Sequence, residues 1–206
     1  MEQEIIIIIE NLASEFLDMY HAVQKKEIKL EHVANQMKLR IFTGRPLGTS
    51  LLEYWDFRCA KAHVFEEFKK KDGKSFQFII VDREIDTVNK LLFLTGALVF
   101  LYIEDRFDEQ ESEDLIKLLH LGIRTLSFES EQHLWNSFPC LYEITLCVLM
   151  PKQSVINYLR EKNMVVREII GSSDELLVFA NAFLVKKIDA QNRLRLLYKT
   201  RIRALP

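Results

Sequence analysis

The longest uncharged stretch of the chain, Leu91 to Ile103, reads LLFLTGALVFLYI and is apolar at nearly every position. At 13 residues it falls short of the roughly 20 that a bilayer-spanning helix needs, and Glu104 and Asp105 end it. The run is read as a buried core segment, with no membrane span. Gly96 divides it. The residues before the glycine, from about 85 to 95, fit a helix that stops there. ALVFLYI is β-branched and aromatic without a polar face, as in a strand covered on both sides.

Upstream of residue 71 the spacing is helical. Ile5 to Ile9 favour a strand by intrinsic preference, yet Leu12, Phe16, Met19, Tyr20 and Val23 continue at helical intervals, which predicts a helix over 2–24. A second helix is expected from Leu30 to Ile41. The glycine-dense stretch 43–50 follows, and Ser50 with Glu53 makes a capping box that opens a third helix running to about Lys70. On that helix Leu51, Trp55, Cys59 and Ala62 form one stripe, while Tyr54, Phe57, Val64, Phe65 and Phe68 spread apolar surface round the rest. Such a helix is either central or covered by something outside it.

From residue 75 the reading changes to alternating strands and helices. Strands are expected at 75–82, 97–103, 123–128, 141–150 and 164–170, with helices at 85–95, 115–121, 131–137 and 152–162. Leu176 to Ile188 and Arg193 to Ala204 then read as two strands of a closing hairpin around Asp189-Ala190-Gln191-Asn192. The expected architecture is an α/β or α+β fold. About three helices over 1–70 precede a mixed, largely parallel sheet over 75–206 that ends in an antiparallel hairpin, packed as one compact unit.

The charge balance is close to neutral, at -2 over 206 residues, so no global field draws the chain to nucleic acid or an anionic membrane. Cys59, Cys140 and Cys147 are odd in number and lack C-x-x-C spacing, which points to a reducing compartment. Glu2 and Glu4 stand where an export signal would be basic, and the reading is cytoplasmic.

Candidate chemistry is sparse. Arg45, Gly48, Thr49 and Ser50 lie where backbone N–H groups at a helix start would bind an anion, but the loop departs from a phosphate-binding loop in spacing and lacks its lysine. Arg58 and His63 have the R-x4-H spacing that resembles the nuclease motif of HEPN domains, in which the two residues meet at a helical dimer interface to cleave RNA. The resemblance covers those two residues, and with twelve arginines and five histidines such a pair arises by chance in roughly one chain of this kind in three. Glu15, Asp18 and His21 share a helical face without the matching residues a metal site needs. No cofactor or metal is implied. Arg193, Arg195, Lys199, Arg201 and Arg203 have one parity, so a strand would show them on one face, fit for an acidic protein segment more than for nucleic acid.

Two function classes follow. The first is a non-catalytic adaptor or assembly subunit, chaperone-like, holding other protein subunits through Tyr54, Trp55, Phe57, Phe65 and Phe68 and through the basic strand. In size and composition the chain looks like bacterial secretion adaptors and chaperones. The second is an α/β enzyme or ligand binder with Asp82, Glu84, Glu104, Asp105 and Glu129 at its strand ends. The absence of any nucleophile or dinucleotide signature leans against the enzyme.

Overall fold

The computed structural model describes residues 2–20, 23–24, 27–43, 52–57, 62–67, 76–81, 86–106 and 139–199, and the chain is largely helical, not an α/β sheet fold. Helix α1 (Glu2–Met19) absorbs the isoleucine run. Ile5, Ile6, Ile9, Leu12, Ala13, Phe16 and Leu17 are buried along one face. β-branched residues cost a helix only a few tenths of a kcal/mol each, which this burial outweighs. A two-residue hairpin, β1 (Val23–Gln24) with β2 (Glu27–Ile28), leads into α2 (Leu30–Gln36).

Helix α3 (Thr87–Arg106) starts where Asp86 Oδ1 accepts the Asn89 N–H at 2.9 Å, and it runs straight through Gly96. Glycine inside a helix costs about 1 kcal/mol, but positions 92–103 are all buried and their packing outweighs it. The buried Thr95 hydroxyl is satisfied by Leu91 O at 2.7 Å. Helix α4 (Pro139–Leu149) begins on a proline, which suits a first helical position, and every side chain from Cys140 to Leu149 is buried. It lies among α1, α3 and α8 and is central to the described helices.

The last quarter is four helices: α5 (Lys152–Lys162), α6 (Val166–Gly171), α7 (Ser173–Ala182) and α8 (Lys187–Lys199), the last three packed on one another. Ser172 caps α7 by accepting the Glu175 N–H at 3.4 Å.

The expected parallel sheet over 75–206 is absent from the described residues. The expected strands at 97–103, 141–150 and 164–170 fall in α3, α4 and α6, and the expected hairpin is α7 and α8. For 97–103 the cause is that an all-apolar run has no periodicity to separate a buried helix from a buried strand. Conversely, the helix expected over 50–70 gives strands β4 (Leu52–Phe57) and β5 (Ala62–Glu67). These join β3 (Arg40–Thr43) and β6 (Phe76–Val81) in the order β3-β6-β5-β4, with β3 parallel to β6 and the other pairs antiparallel. This small sheet lies against α3 through β5 and β6.

Candidate functional site

A groove of about 450 Å³ opens between α5 and the end of α7. One wall is the α5 stripe Ser154, Asn157, Tyr158 and Glu161, spaced at three and four residues so that all four face one way. The other wall is Ala182, Phe183 and Leu184, and Leu91 and Leu149 contribute apolar surface from α3 and α4. Tyr158, Phe179 and Phe183 pack together beside it, with ring centroids 5.6, 5.7 and 4.9 Å apart. Such contacts contribute roughly 0.5–1.5 kcal/mol each beyond area burial and give the groove a fixed shape.

The turn that forms the far lip has an unusual residue. Val185 N–H bonds Ala180 O at 3.1 Å and Leu184 N–H bonds Asn181 O at 3.3 Å, the paired bonds that close a helix with a left-handed residue. Glycine or asparagine normally fills that place, and Asn163 does so at the end of α5 (φ 51°). Here it is Leu184, at φ 54° and 59% exposed. Leu177, Val178 and Ile188 are exposed on the same pair of helices.

A buried polar staple holds α8 against the core. Arg193, fully buried, donates from Nε to Met150 O at 2.9 Å, and its two terminal nitrogens reach the Glu10 carboxylate at 2.5 and 3.0 Å. Met150 O follows the end of α4, so the arginine satisfies a carbonyl that the helix leaves free. The bond fixes the junction from which α5 and its groove stripe start. Tyr142 Oη donates to Asp189 Oδ1 at 2.5 Å and accepts from Asn192 Nδ2 at 3.3 Å.

Not every buried polar group is matched. Among the described residues, neither Glu143 oxygen nor Asp189 Oδ2 has a hydrogen-bond partner. Burial pushes the Glu143 carboxyl up to about 8 and raises that of Asp189 as well, although the Tyr142 bond opposes the latter. Burial also pushes the Cys147 thiol up to about 12, against the pull of Arg193. Among the described residues no three His, Cys, Asp or Glu side chains cluster as metal ligands. No described helix is long and apolar enough to cross a membrane.

The residues singled out in the sequence fall on several elements, and of them Tyr54, Trp55, Phe57 and Phe65 come together on the paired strands β4 and β5. Tyr54, Trp55 and Phe57 lie on β4 and Phe65 on β5, on strands and not on one helix face. Phe68, Arg45, Gly48, Thr49, Ser50, Arg58, Arg201 and Arg203 lie outside the described residues, as do Asp82, Glu84 and Glu129. His63 is on β5, which removes the helical setting that the R-x4-H resemblance implies. Glu104 and Asp105 belong to α3, not to a strand end. The basic face is corrected too. On a helix Arg193 points about 200° away from Arg195, so it is buried while Arg195 and Lys199, four apart, stay exposed together. The groove residues were not singled out; the signals for them are the Ser172-x-x-Glu175 capping box and the Leu176, Phe179, Ala180 spacing.

No known protein family matches this chain, and no curated protein or solved structure matches it either.

Proposed function

We propose that this protein is a non-catalytic interaction subunit, an adaptor that holds a partner protein at the groove beside Leu184. The observation that carries the reading is Leu184 itself. A left-handed conformation costs a leucine about 1–2 kcal/mol, and the side chain, more than half exposed, recovers only part of that by burial within the chain. Strain retained at an apolar lip is expected where the side chain serves a complex. Leu177, Val178 and Ile188 are further exposed apolar side chains on α7 and α8. The fitting partner is an amphipathic helix that lays one or two apolar side chains into the groove. Cys140 and Cys147 are free and buried, which supports a cytoplasmic setting for such an adaptor.

The test places a photoreactive residue at position 184, with position 167 as a control, identifies the cross-linked protein and measures the purified complex by calorimetry. Leu184→Asp should weaken that complex at least about tenfold, with a thermal midpoint no lower than wild type, since aspartate tolerates the left-handed turn. An affinity untouched by Leu184→Asp overturns the reading. So does a chain that binds no protein but melts later with a metabolite.

A further inference from the structure

The small sheet is apolar on both faces. Along β6 alternate residues take opposite sides, and both sets are apolar: Phe76, Phe78 and Ile80 on one side, Ile79 and Val81 on the other. A sheet with one wet face alternates apolar with polar positions instead. The strand registers carry each set across the sheet. Ile79 stands beside Ile41 of β3 and Val64 of β5, while Phe78 stands beside Phe65 and Ile80 beside Phe42. The Ile79 face is the inner one, because Ile79 is fully buried, Ile41 packs against the same core, and α3 lies against β5 and β6. The Phe78 face is the outer one, and Phe42 on it is 49% exposed. Polar residues fall at the ends of its rows. The row through Phe78 and Phe65 runs from Arg40 to Glu53, and the row through Ile80 and His63 ends at Asp56.

We infer that two copies of this chain meet through this outer face, sheet on sheet across a two-fold axis, with Phe65 and Phe78 at the centre and Phe42, Phe76 and Ile80 around them. The area is that of a stable dimer. Five such residues at roughly 150 Å² each give about 700 Å² per copy, close to the roughly 800 Å² that each partner of an ordinary specific interface contributes. An aromatic centre with charge kept to the rim is the anatomy of a protein interface and not of a wet surface. The shape favours a second copy. Two twisted sheets stack about 10 Å apart with their strands about 30° off parallel, and a two-fold axis sets one patch against itself. The contact rests on apolar area and not on charge, so salt does not loosen it. It uses neither the groove nor Leu184 and stands apart from the partner-docking reading.

Sedimentation of the full chain at about 100 μM, in about 50 mM and about 500 mM salt, tests it. A dimer is expected in both. Phe42→Asp should weaken it at least about tenfold, and Phe78→Asp, at the centre, should leave a monomer. Phe42 is half exposed on an edge strand, so circular dichroism of Phe42→Asp should match wild type, and that variant decides the matter if Phe78→Asp does not fold. A wild type that stays monomeric overturns the inference and leaves the outer face to a different protein. A dimer that falls apart in high salt, or one that Phe42→Asp leaves equally tight, overturns it as well.

Discussion

Arg193 of α8 holds both carboxylate oxygens of Glu10 on α1, at 2.5 and 3.0 Å, across 183 positions of the chain. The first helix and the last described helix are thereby tied through a charge pair of a buried arginine and a partly exposed glutamate, next to the α4 carbonyl that the same arginine satisfies. Removing one partner leaves the other charge buried. Glu10→Ala should therefore cost about 3–5 kcal/mol, read by urea unfolding at pH 7. Replacing both, Glu10→Leu with Arg193→Met, should recover part of that loss, because an apolar pair carries no desolvation cost while the Met150 carbonyl loses its donor. A loss below about 1 kcal/mol for the single change would mean that the pair is solvated.

The orphaned Glu143 carboxyl gives stability a pH dependence of definite sign. Its pKa rises from 4.5 to about 8 on folding because burial disfavours the charged form. The folded state thus holds the proton where the unfolded state releases it. The contribution is fully present below about pH 4.5 and is lost as pH rises through about 8. Asp189 shifts in the same direction and adds to the slope. Glu143 alone should make the wild type lose stability between pH 5 and 8 at up to about 1.4 kcal/mol per unit, and Glu143→Gln should remove that part of the slope. Unfolding curves across this range check it; equal slopes for the two proteins would place Glu143 in contact with water.

The two described cysteines should be inert in the native protein. Cys140 and Cys147 are buried, and burial raises both thiols well above neutrality. A thiol reagent at pH 7.5 followed by peptide mass analysis should label neither until denaturant is added. Labelling of Cys147 at the rate of a free thiol would contradict a packed α4.

The fold was legible where one helix face is polar. Lys152–Lys162 alternates Val155, Ile156 and Leu159 with Lys152, Arg160 and Lys162, and α5 has the bounds its sequence predicts. Phe76–Val81 likewise forms the strand expected over 75–82. Legibility fails in the core. ALVFLYI is apolar all round, and LYEITLCVLM is broken by Glu143 and Thr145 alone, because α3 and α4 are covered by their neighbours, and burial erases the polar face that would have revealed a helix. Asp189 to Asn192 reads as a turn by composition, yet Asp189 and Asn192 are polar because they meet Tyr142 inside α8, not because the chain reverses. The groove was illegible for another reason. It depends on the left-handed turn at Leu184, where the sequence shows no glycine or asparagine to announce a helix end.

The most direct measurement is Leu184→Gly, read twice on one preparation. Glycine accepts φ 54° without strain, so the isolated chain should gain about 1 kcal/mol in urea unfolding, while its complex with the partner found by cross-linking at 184 should weaken at least about tenfold. A variant that is both less stable alone and equally tight in the complex would contradict the account, because Leu184 would then serve the fold and not a partner.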